Sequence, residues 1–258
     1  MAYFERTGAT TFRATRHTAG AWRQDEQHVA PSLGLLAHLV EADRDNRRDD
    51  ALVPARFSYD ILGTMPVGPV ETSVQVLRPG RTIELVEARM SAEGRDAVVL
   101  RCWLMATGDT TAVAGTPLPR IARPDEHDPW DATTVWGGGF IASTRVRRRL
   151  TEPGMGSYWV RTDVPLLASE PVSALASAMG LVDISNGMVT RVSPVDVAFP
   201  NVDLTAHFFR APSRGWIGFD TRVSFGANGT GITSSLVYDE LGPCGEMAQL
   251  LTVRPLPQ

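Results

Sequence analysis

Residues 29–44 read VAPSLGLLAHLVEADR, and residues 169–187 read SEPVSALASAMGLVDISNG. Both stretches carry apolar or small residues around most of a helical circumference, which is typical of a helix enclosed on several sides. In the second stretch Ser169 is placed to cap the helix and Gly187 to end it. The sequence therefore predicts two enclosed helices, one in each half of the chain.

Four strand-like runs follow each predicted helix. They cover residues 55–62, 70–79, 82–91 and 97–107 in the first half, and 201–210, 215–225, 231–240 and 246–255 in the second. The runs are rich in β-branched residues, alternate in polarity, and are separated by short turns such as RPGR, GANGTG and LGPCG. Such helix-free connections favour antiparallel pairing. The repeated order predicts an α+β fold, the double hotdog, in which a curled antiparallel β-sheet wraps each of two long helices.

A stretch rich in Pro and Gly separates the two halves. It predicts an N-terminal hotdog module over residues 1–108, a connector over 109–136 and a C-terminal hotdog module over 137–258. The tryptophans, Trp103 and Trp216 among them, are interpreted as core residues.

The composition limits the expected partners and compartment. A net charge of −4 provides no basic surplus, so no nucleic-acid partner is expected. Cys102 and Cys244 lie far apart in the sequence, which fits a reducing cytosol. The stretch MAYFERTGATTF lacks the pattern of a secretory signal, and the apolar stretch Leu33–Val40 is far shorter than the ~20 residues that a bilayer requires. We therefore expect a soluble, cytoplasmic protein with no membrane partner.

Four stretches carry a family resemblance: TRHTAGAWRQDEQHVAPSLGLLAHLVE, RFSYDILGTMPVGPVETSVQVLRPGR, FPNVDLTAHFFR and AQLLTVRP. In their order and turn positions they are similar to the thioesterase II (TesB-like) double-hotdog acyl-CoA thioesterases. The resemblance covers nearly the whole chain and implies hydrolysis of an acyl-CoA to a free acid and coenzyme A, with no cofactor beyond the coenzyme A of the substrate. It also implies that an Asp, a Thr or Ser, and a Gln position a water. The corresponding residues are Asp183, Asn201 and Gln249, and Asn201 departs from the family pattern because it has no hydroxyl.

Water can cleave a thioester directly when a base takes its proton and donors meet the developing negative charge. Asp183 lies near the C-terminal end of the second predicted helix, where burial and the helix dipole both raise a carboxyl pKa, as suits a general base. Asn201 and Gln249 can hold the water, and a backbone N–H near Gly187 is a candidate for the oxyanion. Structural interpretations stay open: a helix-end Asp bonded to the next turn, a turn Asn, and an outward-facing strand Gln.

Substrate-binding residues are suggested partly by the resemblance and partly by charge. Gln27 and His28 stand where the family's first module frames the acyl pocket, although His28 is equally placed to cap the first helix. Arg78 and Arg81 are candidate partners of the CoA phosphates or, alternatively, solvated turn residues. The histidines lack metal-ligand spacing and no GxSxG elbow is present, so neither a metal nor a serine nucleophile is expected.

Two other functions stay open. The absence of the hydroxyl at Asn201 is compatible with a catalytically weak module that binds or senses acyl-CoA. Asp203 and His207 raise the possibility of a hotdog hydratase, although their spacing of four differs from the five that those enzymes have. The resemblance further implies a homo-oligomer.

Overall fold

The structure is a computed structural model that describes residues 1–50 and 52–257. Gln258, the end of the predicted second module, lies outside the described residues. The helices are α1 (Val29–Arg47), α2 (Gly139–Ala142), α3 (Ala174–Met179) and α4 (Ser185–Met188). The strands of the first half are β1 (Phe4–Arg6), β2 (Thr11–Ala14), β3 (Leu52–Ile61), β4 (Pro69–Arg78), β5 (Ile83–Ala92) and β6 (Arg95–Ala106). The remaining strands are β7 (Asp128–Trp130), β8 (Thr144–Glu152), β9 (Met155–Thr162), β10 (Val197–Ala198), β11 (Asp203–Phe208), β12 (Ile217–Phe225), β13 (Thr230–Asp239), β14 (Gly242–Thr252) and β15 (Arg254–Pro255).

Within the described residues, thirteen strands form one antiparallel sheet in the order β1-β2-β4-β5-β6-β3-β11-β14-β13-β12-β9-β8-β7. The two halves meet where β3 pairs with β11, in register from Asp203 opposite Asp60 to His207 opposite Arg56. The order is nearly symmetric about this pair, because in each half the first strand of this sheet that follows the helix lies at the centre. The double hotdog predicted from the sequence is confirmed by this architecture.

Helix α1 is the enclosed helix that the sequence predicts for the first half. Every residue from Ala30 to Val40 is buried, and its contacts include β5, β6 and α3. Gly34 lies against the end of α3, where an added Cβ would lie 2.8 Å from Cα of Gly180 and 2.9 Å from the carbonyl oxygen of Ala176. A glycine at this point therefore sets how closely the two helices approach.

The second predicted helix is wrong in detail, because the chain divides it into α3, a 3₁₀ turn at Val182–Ile184, and α4. Ser169 does not cap it: Ser169 has φ +61°, and the N-cap is Ser173, whose Oγ accepts the N–H of Ala176 at 2.9 Å. Pro171 accounts for the late start, since the residue before a proline is biased away from helical backbone. Gly180 then follows the end of α3 and lowers the helix propensity there.

The eight predicted long strands are confirmed as β3 to β6 and β11 to β14. Strands β1, β2, β7, β9 and β10 were not predicted; all but β9 are very short, and β9 carries Gly156, which weakens a strand pattern. The predicted turn LGPCG is wrong in extent, because Gly242 already pairs with Asp239 and begins β14. Its φ of +132° at that tight turn suits glycine.

The connector is held against the second half by arginines of β8. Arg147 Nη1 donates to the carbonyl oxygens of Pro124 and His127, at 3.1 and 2.8 Å. Arg149 Nη2 donates to the carbonyl oxygen of Glu126 at 2.6 Å. Fixing these carbonyl groups positions the short strand β7 beside β8.

Trp103 and Trp216 were predicted to be core residues, and this prediction is wrong. Both are partly exposed, with the guanidinium of Arg78 5.8 Å and that of Arg161 5.0 Å from the respective ring centroids. Cys102 and Cys244 are buried free thiols. Among the described helices, none has the length and apolar character needed to cross a membrane.

Candidate active site

A cavity of about 290 Å³ lies between the two halves of the chain. The first half contributes the loop before α1, the first residue of α1 and the loop after β3, and the second half contributes residues near α4, β10 and β15. Its lining includes Gln27, His28, Asp183, Asn201 and Arg254. Four of the eight predicted site residues therefore line one cavity.

Asp183 lies in the 3₁₀ turn between α3 and α4, and only 3% of it is exposed. Its Oδ1 accepts two amide hydrogen bonds, from Asn201 Nδ2 at 2.6 Å and from Gln249 Nε2 at 2.9 Å. Within the described chain, no donor is bonded to Oδ2, which lies 3.9 Å from His28 Nδ1. One oxygen is thus held in place and the other is available to a ligand in the cavity.

Burial raises the pKa of Asp183 to about 7, against its ordinary value of 3.8. The hydrogen bonds from Asn201 and Gln249 act in the opposite direction, because they stabilise the carboxylate. The raised pKa expected from the sequence is therefore present. A carboxyl group with this pKa can release and take up a proton near neutral pH.

His28 has both of the roles that the sequence left open. Its Nδ1 accepts the N–H of Ala30 at 3.2 Å and so caps α1, while its ring lines the cavity. Burial lowers the pKa of His28 to about 3, so the imidazole is neutral and its contact with Asp183 is not an ion pair. Gln27 is anchored through Nε2, which donates to the carbonyl oxygen of Pro66 at 2.8 Å.

Asn201 and Gln249 are oriented by further contacts. Asn201 Nδ2 also donates to the carbonyl oxygen of Asp203 at 3.1 Å, which leaves Oδ1 as the group able to accept from a ligand. Gln249 is fully buried on β14, so it points inward and is not the outward-facing residue of the alternative interpretation. It lies behind Asp183 and does not line the cavity.

Three predicted site residues lie elsewhere. Gly187 borders a small adjacent cavity, where its carbonyl oxygen accepts Nε1–H of Trp136 at 2.8 Å. Arg78 and Arg81 are exposed at the hairpin after β4, and Arg78 Nη1 donates to the carbonyl oxygen of Ile83 at 2.9 Å. The hairpin therefore does not bring these arginines to Asp183.

Sequence reasoning missed an aromatic cluster at the site. The rings of Trp22, Trp136 and Phe199 meet edge to face, with centroids 5.0 to 5.9 Å apart. Trp22 lines the cavity, whereas Trp136 closes the small cavity beside it. The run WGGGF was the available sign of a close approach between two segments. Gly138 has φ +90°, and a Cβ there would lie 2.3 Å from the carbonyl oxygen of Gly20, so glycine lets the segment of Trp136 approach that of Trp22.

The sequence matches two family models, for the acyl-CoA thioesterase N-terminal domain over residues 18–105 and for the C-terminal domain over residues 117–253. The chain belongs to the acyl-CoA thioesterase family. This acyl-CoA thioesterase is a thioester hydrolase, as the resemblance implied. A comparison with curated proteins found no match.

Solved structures share the fold of this acyl-CoA thioesterase. A Novosphingobium aromaticivorans protein proposed to be a thioesterase has 20% identity and a TM-score of 0.72, with 98% of each chain covered. A hot dog protein of unknown function from Alicyclobacillus acidocaldarius has 14% identity and a TM-score of 0.75, over 98% of this chain and 96% of that one. An acyl-CoA thioesterase II from Mycobacterium marinum has 14% identity and a TM-score of 0.69, over the same shares.

The residues behind the hydratase hypothesis lie on the other side of the sheet. The buried residues of β11 are Leu204, Ala206 and Phe208, so Asp203 and His207 face outward, as their even spacing predicts. The cavity of this acyl-CoA thioesterase contains neither of them.

Proposed function

We propose that this thioesterase hydrolyses an acyl-CoA with Asp183 as the general base. The observation that carries the proposal is the asymmetric environment of the carboxyl group. Two amides hold Oδ1, whereas Oδ2 has no hydrogen-bonded partner in the described residues and belongs to a side chain that lines the cavity. A base held on one side has little freedom to lose when it takes a proton.

In the proposed step, Asp183 Oδ2 takes a proton from a water while the water oxygen bonds to the thioester carbonyl carbon. The carbonyl oxygen becomes an oxyanion, the tetrahedral intermediate collapses, and the C–S bond breaks. The departing thiolate of coenzyme A takes the proton back from Asp183 and becomes the free thiol, and the acyl group leaves as the acid. Asn201 Oδ1 is the acceptor available to the second hydrogen of the water.

We assign the oxyanion to the N-terminus of α1 rather than to Gly187. Val29 begins α1 and lines the cavity, and its N–H donates to no acceptor in the described part of the chain. A helix N-terminus carries unpaired N–H groups and partial positive charge, which stabilise a developing anion. Gly187 does not line this cavity, although the small cavity that it borders shares His28 and Asn186 with it.

Arg254 is the proposed contact for the phosphates of coenzyme A. It lines the same cavity from β15 and forms no ion pair among the described residues. Arg23, also in the lining, is already paired with Asp25 at 2.7 Å. An unpaired guanidinium near the cavity suits a phosphate better than one whose charge is compensated.

The test is release of free thiol from acyl-CoAs of graded chain length. Asp183→Asn keeps the size of the side chain and is expected to lower kcat by about 10² to 10⁴, the usual contribution of a general base. Asp220→Asn is the matched control, because Asp220 lies on β12 and does not line this cavity. Equal rates for wild type and Asp183→Asn at every chain length would refute the proposal.

A second candidate is the acyl-CoA binding or sensing module, and Asn201 is the observation that favours it. A water can still be held by Asn201, but the family's hydroxyl is missing. Tight binding of acyl-CoA in calorimetry without thiol release would establish this function, and ordinary turnover would eliminate it.

We also propose a cytoplasmic location, two modules divided at residues 109–136, and a homo-oligomer. Ile232 and Leu250 support an oligomer, since they are cross-strand neighbours on the outer face of the sheet and are 46% and 48% exposed. Light scattering at graded protein concentration tests this last proposal, which a monomeric mass at all concentrations would refute.

A further inference from the structure

A second cavity, of about 390 Å³, shares no lining residue with the first. It lies beside α3 and is lined by the end of β9, the segment that follows β9, and the loop between β11 and β12. Its volume is within the range of about 300 to 1,000 Å³ that is usual for small-molecule sites.

The second cavity is lined by segments of the second half that correspond in chain order to segments of the first half around the active-site cavity. The active-site cavity uses the loop before α1 and the loop after β3, whereas the second cavity uses the segment before α3 and the loop after β11. Because β3 and β11 pair at the centre of the sheet and α1 crosses α3, these loops are equivalent in the two halves. The duplicated fold therefore forms one cavity beside the start of α1 and another beside α3.

The chemistry of the second cavity differs from that of the first. No buried carboxyl group held by amides is present in its lining. Its one acidic residue, Asp163, is 63% exposed at the side chain and pairs with Arg145 at 2.7 Å. Nothing in this lining can act as the buried base Asp183 does, so the cavity is suited to binding rather than hydrolysis.

Two guanidinium groups line the second cavity without an acidic partner. No carboxylate lies within ion-pair distance of Arg161 or Arg214 in the described part of the chain. Arg161 Nε is buried and has no hydrogen-bond partner there, and its guanidinium lies over the ring of Trp216. Arg214 uses Nη2 to bond the carbonyl oxygen of Val172, which leaves its other donors available.

The rest of the lining is largely apolar, with Val164, Leu166, Ala178, Leu181 and Ile217 as its main contributors. Arginine has a rigid set of donors that matches a carboxylate or a phosphate. The Nη groups of Arg161 donate to no acceptor in the described part of the chain and, unlike Nε, are not buried, so they are the donors that an anion in the cavity can reach.

We propose that this cavity is a second binding site for an amphiphile with one anionic head group and an alkyl chain. The head group, a carboxylate or a phosphate monoester, binds to Arg161 and Arg214, and the chain packs on the apolar lining. The site involves no bond making or breaking, so it stands independently of the proposed role of Asp183.

The experiment is a titration of the whole chain with octanoate labelled with ¹³C at its carboxyl carbon, observed by NMR. A bound carboxyl resonance is expected in the wild type. Losing one charged hydrogen-bond partner in Arg161→Gln or Arg214→Gln should weaken this binding by about tenfold or more. Unlabelled octanoate and octyl phosphate are then added separately as competitors of the labelled octanoate, and the stronger competitor identifies the preferred head group. Neutral octyl glucoside is expected not to compete.

Arg222→Gln is the matched control, since it removes the same charge from an exposed position on β12 outside this cavity. Arg254→Gln identifies any octanoate bound in the active-site cavity, because only that resonance should change. Arg214 is exposed, so its variant keeps the test valid if Arg161→Gln fails to fold. The proposal is overturned if no resonance responds to Arg214→Gln, or if octyl glucoside competes as well as octanoate.

Discussion

As the pH rises, the wild type should lose stability and gain activity, and replacing Asp183 with Asn should remove both effects. The pKa of Asp183 is raised by burial, so the native state retains a proton that the unfolded chain loses between about pH 4 and about pH 7. Stability from this group is complete below the ordinary carboxyl pKa and is lost as the pH rises through the folded pKa. Activity needs the ionised base, so kcat should rise through the same interval.

The interval between about 7 and 3.8, at about 1.36 kcal/mol per pH unit, corresponds to about 4 kcal/mol at alkaline pH. Most of this loss of unfolding free energy, about 3 kcal/mol, occurs between about pH 5 and about pH 8.5, where wild type and Asp183→Asn can both be studied. Asn does not ionise, and its carbonyl oxygen can still accept from Asn201 and Gln249. The variant should therefore be more stable than the wild type at high pH, by an amount that shrinks toward pH 5.

The assay is urea unfolding of wild type and Asp183→Asn at five pH values, with thiol release measured in parallel. The expected result is a free-energy difference that grows with pH and a wild-type kcat that rises with an apparent pKa near 7. A difference independent of pH would refute the reasoning about burial. A wild-type kcat that falls through this range would instead refute the assignment of a general base.

Three further outcomes test other parts of the structure. Gly34→Ala should lower the free energy of unfolding by about 1 to 3 kcal/mol, since its Cβ would lie 2.8 Å from Cα of Gly180. Gly63→Ala is the control, because a Cβ there would have nothing within 4 Å and should not lower it. Equal free energies for the two variants in urea unfolding would contradict this. Arg254→Gln should raise KM for acyl-CoA about tenfold and Arg78→Gln should leave it unchanged; the reverse result would relocate the phosphate contact to the hairpin. Asn201→Ser should keep kcat within about tenfold, because a hydroxyl can donate to the same carboxyl oxygen; a rise of about a hundredfold or more would favour the binding module.

Much of the fold was predictable, because long strands with β-branched residues and α1 carry strong local patterns. The second helix was not, since Pro171 delays its start and Gly180 follows the end of α3. Gly180 faces Gly34, a contact between residues distant in the sequence. Strand β9 was not predicted for a local reason, because Gly156 and a short turn interrupt the alternating pattern that indicates a strand.

The site was predictable only in part. The resemblance placed Asp183, Asn201 and Gln249 together, and the structure brings them within hydrogen-bond distance, although their catalytic roles stay predictions. The contact of Trp22 with Trp136 was not predicted, because it depends on the packing of Gly138 against Gly20, residues distant in the sequence, and not on any periodic pattern.

The pairing of β3 with β11 means that the peptide link between the halves is not what holds them together. A protease cut within 109–119 would leave both fragments joined by the same ladder of backbone hydrogen bonds, with the active-site cavity still complete. Each fragment produced alone would instead expose a long unpaired strand edge, which invites aggregation. Co-expressed fragments should therefore reassemble into an active nicked enzyme, whereas neither fragment purified by itself should hydrolyse a thioester.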